Sequence, residues 1–347
     1  MSRRAKSAGT LTVGVLALAL TWSAGATTPV ASQSGRKFFQ GKSLTIIVPY
    51  SPGGGYDKWA RLIAPRLQRY LSLGRVIVQN RDGAGGLVGT NAIYSATPDG
   101  LTIGDTNAGG DVFSQMAQYP GVRFNVSRLS WIGRPEDDPH VLAVQPDGPL
   151  RSFDDLIAMR GSGEIVRSLA TSVGSSDYSA TTVIYNVFGV PYHMVAAFKG
   201  SHGEKATFVS GLGDATTLSA SDIAELGDKA RVLLVFTAQP YARLPAVPTV
   251  LQEMHAHPLP QNSMRVLSQL VSVMALGHAF VAPPGVPQDR LEALRDAFQS
   301  IVHDRSFIAE ATRADLYIGY RSGEQLQQDV ASAMAHTDEF RRFLVSH

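Results

Sequence analysis

The chain has 347 residues, with 31 basic and 29 acidic side chains and no cysteine. The missing thiol excludes disulfides, thiol catalysis and anchoring through a lipidated N-terminal cysteine. With a net charge near zero, nothing in the composition points to a polybasic surface for nucleic acid or anionic lipid.

Residues 1–26 read as a secretory signal peptide. Arg3, Arg4 and Lys6 form a basic start, Leu11 to Leu20 an apolar run, and Ala24-Gly25-Ala26 a small-residue cleavage site. The run is shorter than the roughly 20 residues a bilayer crossing needs. Removing this leader takes three basic residues and no acid, leaving 28 basic against 29 acidic. A periplasmic protein released by cleavage, not a lipoprotein, is the expectation. The remaining 321 residues exceed what one core usually holds, so two are expected.

Residues 27–40 are expected to be a flexible leader. From Lys42 onward, strand-like and helix-like segments alternate. "LTIIVPY" is an apolar, β-branched run that suits a strand buried on both faces. "DKWARLIAPRLQRYL" follows as a helix with Ala60, Ala64, Leu67 and Leu71 on one face. Pro65 inside it should kink it. "RVIVQN" is a strand, "GLVGTNAIYSA" a helix and "LTIGDT" a third strand. "HVLAVQ", "SLAT", "HMVAAF" and "VLLVFTA" continue as strands, with "SFDDLIAMR" and "SATTVIYNVFG" as helices. A polar, Met-rich connection precedes the strand-like "GHAFVAPPGVP". Three helices, "PQDRLEALRDAFQSIV", "SFIAEATRADL" and "GEQLQQDVASAMAHTDEFRRFL", close the chain, with "YIGYR" a short strand between the last two. This alternation predicts an α/β fold with mostly parallel sheets and helices on both faces.

Three glycine- or serine-rich loops join a strand end to a helix start, where open α/β sheets bind ligands. In "PYSPGGGYDKWARL" the free N–H groups and the helix dipole suit an anion. Lys58 and Trp59 do not supply the GK[ST] ending of a phosphate-gripping loop. Asp57 either caps the helix or faces a ligand; the cap is preferred for its carboxylate and a ligand role for the amides around it. In "NRDGAGGLVGTN", Gly83, Gly85 and Gly89, with Asp105 further on, have the look of a dinucleotide fingerprint, or simply of tight turns. In "TSVGSSDYSATT", Gly174, Ser175 and Ser176 offer hydroxyls and amides to a carboxylate, or a plain serine cap. There is no G-x-S-x-G elbow and no H-E-x-x-H. His255 and His257 read as loop residues rather than metal ligands. No catalytic residue, metal or cofactor is expected.

Together, "IIVPYSPGGGYDKWARLIAPRL" and "VIVQNRDGAGGLVGTNAIYSATPDGLTIG" closely resemble the substrate-binding receptors of tripartite tricarboxylate transporters, the Bug family. "GSS" at 174–176, "FKG" at 198–200, "SGLGDA", "LPAVPTVLQE" and "APPGVP" resemble later family blocks. The resemblance implies a two-lobed type II periplasmic binding protein with a ligand cleft between lobes. Lobe 1 would comprise 41–139 and 270–347, and lobe 2 140–269. It implies a small organic anion held by Ser51, Gly53, Gly54, Gly55, Tyr56 and Asp57 from one lobe and Gly174, Ser175 and Ser176 from the other. Asn107 and Lys199 complete the candidate set. The receptor would be monomeric and would hand its ligand to membrane permease subunits by two-lobe closure.

Two departures from the family pattern stand out. Tyr178 replaces a usual histidine, and "MALGHAFVAP" lacks a usual tryptophan. Asp177, if it faces the cleft, would disfavour a plain dicarboxylate and favour a ligand with an amine or hydroxyl. Two rival readings stay open: a sensory receptor feeding a membrane kinase, and a nucleotide- or dinucleotide-dependent enzyme on the Gly83–Gly89 loop.

Overall fold

The structure, a computed structural model, describes residue 1 and residues 30–344 except 137, 199 and 336. The signal-peptide reading and Lys199 therefore lie outside the described residues, apart from Met1. No helix among the described residues is long and apolar enough to cross a membrane.

Two sheets organise the chain. The first contains β1 (Ser43–Val48), β2 (Arg75–Asn80), β3 (Thr102–Asn107), β4 (Ser130–Glu136), β10 (His278–Ala282) and β11 (Ile318–Ser322), in the order β11-β4-β10-β3-β1-β2. The second contains β5 (His140–Val144), β6 (Val166–Ala170), β7 (Tyr192–Ala196), β8 (Ala215–Ser219) and β9 (Arg231–Val235), in the order β7-β6-β8-β5-β9. The chain crosses between them twice, after β4 and between β9 and β10. Two α/β lobes are thus present, as expected.

The strand pairing is mixed rather than mostly parallel. β1 pairs parallel with β2 and β3, and β6 pairs parallel with β7 and β8. β10 runs antiparallel to both β3 and β4, and β5 antiparallel to both β8 and β9. β5 and β10 are the strands that each crossover delivers. A strand entering from the other lobe starts where its neighbours end, so it must run against them. Its first residue then lies beside the C-terminal ends of the parallel strands, the ligand-binding edge of such sheets. Those first residues are His140 and His278.

Helices α1 (Val30–Phe39), α2 (Gly55–Tyr70), α3 (Leu87–Tyr94), α4 (Ala108–Ala117), α11 (Gln288–Val302), α12 (Arg305–Arg313) and α13 (Gly323–Met334) accompany the first sheet. α5 (Phe153–Ala158), α6 (Ser176–Phe188), α7 (Ser201–Val209), α8 (Ala220–Ala224) and α9 (Val250–Ala256) accompany the second. α10 (Gln261–Met274) and α14 (Thr337–Leu344) pack against helices of both lobes.

Helix α1 occupies part of the stretch expected to be a flexible leader. It packs on α11 at Gly35, where a Cβ would lie 2.0 Å from the Asp289 carbonyl oxygen, so only glycine permits the approach. The Met-rich connection is the helix α10. Its buried Val266, Leu267, Leu270, Val271, Val273 and Met274 recur at helical spacing. α2 runs through Pro65 unbroken. Pro65 and Arg61 are both exposed, so water can satisfy the Arg61 carbonyl that the proline leaves without a donor.

The two expected cores are three clusters. One lies between the first sheet, α2 and α11, around Trp59, Phe280 and Phe298. A small one lies under α8, around Leu218 and Val235. The largest spans both lobes, joining Phe113 and Trp131 to Val183, Tyr185, Leu270 and Phe340. Phe340 of α14 stacks on Phe113 of α4 at 5.6 Å within this shared cluster.

Candidate functional site

The first loop, Ser51–Gly55, leaves β1 and opens α2. Gly53 adopts φ +87°, which favours glycine, and Gly54 is the N-cap with no side chain to offer. The N–H groups of Gly54, Gly55 and Tyr56 have no acceptor among the described residues, as the first turn of a helix leaves them. Asp57 is therefore not the N-cap itself. It sits in the first turn and reaches back, accepting from Gly53 N–H at 2.9 Å, Arg61 Nε at 2.8 Å and Asn80 Nδ2 at 3.0 Å. Burial would raise its carboxyl, but those three donors outweigh it and hold the group below its ordinary value. Ser51 gives its hydroxyl to Asp82 at 2.8 Å. Asp57 thus braces its own loop, but from inside the first turn and not as the N-cap preferred for it.

The second loop, Ser172–Ser175, leaves β6 and opens α6. Ser175 is its N-cap, but its hydroxyl turns back to the Ser172 carbonyl at 2.6 Å. Asp177 is 4% exposed and accepts from Thr171 N–H at 2.6 Å. The expectation conditional on Asp177 facing the cleft therefore does not apply: its carboxylate braces the second loop as Asp57 braces the first. The two loops repeat one design, an aspartate early in the helix tied to an amide of its own loop.

Across the gap, Asn107 at the end of β3 donates from Nδ2 to Ser176 Oγ at 3.0 Å, while its Oδ1 caps α4 through Gly110 N–H at 2.9 Å. Ser114 of α4 donates to the Gly174 carbonyl at 3.0 Å. Ser176 Oγ also lies 3.3 Å from His140 Nε2. Desolvation lowers His140 despite nearby Asp177 and Asp138, which favours its neutral ring.

His278 enters from the other side. Its ring stacks on Tyr56 at 3.5 Å, and Tyr56 stacks on Tyr50 at 4.4 Å. Glu136 at the end of β4 accepts from His278 N–H at 2.9 Å, with its other oxygen 3.3 Å from His278 Nδ1. Burial pushes the Glu136 carboxyl up to about 8, assisted by Asp138. Asp105, fully buried, is pushed well above its ordinary value by burial and by Glu136.

Of the candidate residues, the structure brings Asn107 against Ser176, Gly174 against Ser114, and Gly55 and Tyr56 against His278, while Gly54 opens α2 with its amide free. Ser51, Gly53, Asp57 and Ser175 have their bonding groups engaged within the protein. Sequence reasoning missed His140 beside Ser176, and Tyr50, His278 and Glu136 around Tyr56. Only "EDDPH", an acidic run broken by a proline before an apolar strand, hinted at a crossover there. The glycines of the Gly83–Gly89 loop serve turns and packing. Gly83, Gly85 and Gly86 have positive φ, and a Cβ on Gly89 would lie 2.5 Å from Pro49 Cα. His257 pairs with Glu253 along α9 at 3.1 Å. A separate recess of about 450 Å³, lined by Val144, Leu150, Met159 and Ile165, lies on lobe 2 away from both loops.

Two α/β lobes joined by two crossovers, each presenting a helix-opening loop to the same cleft, define a two-lobed solute-binding receptor. The chain belongs to the family described as "Tripartite tricarboxylate transporter family receptor", whose model matches residues 59–340. It is a family of binding receptors, not enzymes, so the dinucleotide-enzyme reading falls. The chain is 30% identical to protein BugT of Bordetella pertussis over 234 residues, 65% of this chain and 70% of that protein. Its fold is similar to that of MatC from Rhodopseudomonas palustris, solved with bound malate (TM-score 0.69, 18% identity, 88% of this chain and 99% of that one). It is also similar to a second R. palustris protein solved with adipate (TM-score 0.70, 21% identity, 87% and 97%).

Proposed function

We propose that the protein is a periplasmic receptor that captures a small carboxylate-type organic anion by closing its two lobes. It then delivers the ligand to the membrane subunits of a tripartite tricarboxylate-type transporter. The observation that carries this reading is the pair of loops facing one cleft, with the N–H groups of Gly54, Gly55 and Tyr56 at a helix N-terminus on one side and Ser176 on the other. Free amides at a helix start suit a carboxylate oxygen. A ligand that touches both loops binds the closed arrangement better than the open one, and that difference drives closure. The malate and adipate in the solved relatives support the same ligand class.

Calorimetric titration and thermal shift of the mature protein against a panel of mono-, di- and tricarboxylates test it. At least one should bind and raise the melting temperature. Gly54→Trp should abolish binding and leave the fold intact, because Gly54 has φ −76° and the nearest atom to a Cβ there is 3.8 Å away. A panel with no binder, or binding that survives Gly54→Trp, overturns the reading.

A further inference from the structure

The Gly83–Gly89 loop of lobe 1 touches the second loop of lobe 2. Gly85 follows β2 and Ser172 follows β6, so the contact joins the C-terminal ends of strands from the two sheets. A Cβ on Gly85 would lie 2.9 Å from Ser172 Oγ, 3.7 Å from Ser172 Cβ and 3.0 Å from the Val173 carbonyl oxygen. Gly85 also adopts φ +67°. Only glycine lets the two loops meet this closely on such a backbone. The contact is one of shape: Ser172 Oγ is buried in it with no hydrogen-bond partner. A buried hydroxyl without a partner opposes the contact, and it regains water when the lobes part.

The same turn is tied to the first loop. Tyr50 Oη lies 3.4 Å from the Gly85 carbonyl oxygen, and a Cβ on Gly86 would lie 2.9 Å from Tyr50 Oη. Tyr50 stacks on Tyr56, whose N–H is one of the free amides at the start of α2. A run of packed groups therefore links the lobe-to-lobe contact with the amides of the first loop. The contacts Asn107–Ser176 and Ser114–Gly174 differ in kind, because they lie along α4 and α6, which pack inside the shared core. Gly83, Ala84 and Val173 are exposed. The Gly85 contact thus lies at the surface, where it can part without unpacking apolar side chains.

We propose that the Gly85 turn is the closure latch of the receptor: it meets Ser172 and Val173 when the lobes close, parts from them to let a ligand in or out, and positions the first loop in doing so. The proposal rests on the lobe-closure reading above. Gly85 is a positioning residue, acting through the second loop and through Tyr50.

The chain has no cysteine, so a pair introduced at this contact can bond only to each other within the molecule. The 3.7 Å between the Gly85 Cβ position and Ser172 Cβ suits a disulfide. The test is Gly85→Cys/Ser172→Cys in the mature protein, oxidised and reduced, followed by thiol titration, by small-angle scattering without ligand, and by exchange of radiolabelled malate and adipate. The pair should form a disulfide. The oxidised form should have the smaller radius of gyration and should exchange a bound probe at least about tenfold more slowly than the reduced form. Thiols that stay free in the folded protein, equal radii or equal exchange rates each overturn the latch.

Gly85→Asn gives a second reading that needs no oxidation. Asparagine tolerates a left-handed backbone, but its side chain fills the contact. Gly41→Asn is the strain control, with φ +72° and nothing within 4 Å of a Cβ. Gly85→Asn should weaken malate or adipate binding at least about tenfold, and Gly41→Asn should leave it unchanged. A Gly85→Asn protein that binds like the parent overturns the latch. Absence of malate and adipate binding in the parent counts against the carboxylate reading, while the two radii still decide the latch.

Discussion

Tyr56 of α2 and His278 of β10 stack face to face, with centroids 3.5 Å apart and planes 22° apart, although 222 residues separate them. One ring comes from the first turn of α2, the other from the strand that re-enters lobe 1. The contact fixes the loop to the crossover, so the positions of the free amides and of the interlobe connection are set together. Desolvation lowers His278 well below its ordinary value, and the ring packs as a neutral one.

Tyr56→Ala should remove both ring contacts and cost about 2 kcal/mol of stability, since the side chain is half-buried and stacked on two partners. Tyr56→Phe should cost less than about 1 kcal/mol. Urea denaturation of the two variants checks the difference, and equal losses would show that the hydroxyl, not the stack, matters.

Asp57→Ala should destabilise the first loop by about 2 kcal/mol, as Gly53, Arg61 and Asn80 all lose their acceptor. The native carboxyl is held below its ordinary 3.8, so its stabilising effect is present above that value and is lost as pH falls through the native one. Unfolding midpoints at neutral pH and near pH 3 should therefore differ more for the parent than for Asp57→Asn.

Asn107 does two things through two atoms. Asn107→Ser keeps an N-cap for α4 but cannot reach Ser176, whereas Asn107→Ala loses both contacts. The serine variant should unfold within about 0.5 kcal/mol of the parent and the alanine variant about 1 kcal/mol below it. Both should bind ligand several-fold more weakly. Unchanged affinity in the serine variant would separate Asn107 from the binding cleft.

Glu136 carries the opposite pH signature to Asp57. Its native value is raised to about 8 from an ordinary 4.5, so between these the folded state binds more protons than the unfolded one. Its contribution is therefore favourable at low pH, falls as pH rises through that window, and levels off above it. Glu136→Gln should gain stability relative to the parent between pH 5 and pH 8 by up to a few kcal/mol. A thermal-denaturation series across that range reads the difference directly.

Both helix-opening loops were legible because a strand ending in glycines before a helix is a local pattern. So were the free amides of Gly54 and Gly55, which follow from helix geometry alone. Asp177 was legible as an acid near the second loop, but its direction was not. Whether a carboxylate turns to its own loop or to a cleft depends on a hydrogen bond to Thr171, and sequence adjacency cannot choose between them. Helix α10 was masked by polar residues on its exposed face, although its apolar face keeps helical spacing.

The sequence by itself determined the alternation of strands and helices, the two helix-opening loops and the family they point to, because each rests on spacing within a few residues. Only the tertiary structure decided that β5 and β10 enter their sheets reversed, and hence that His140 and His278 begin at the cleft. It alone placed Asp105 and Glu136 behind the loops and joined the lobes through one shared core. Those relationships depend on which segments distant in the chain lie side by side, and burial then sets the charge that each buried acid and histidine can carry.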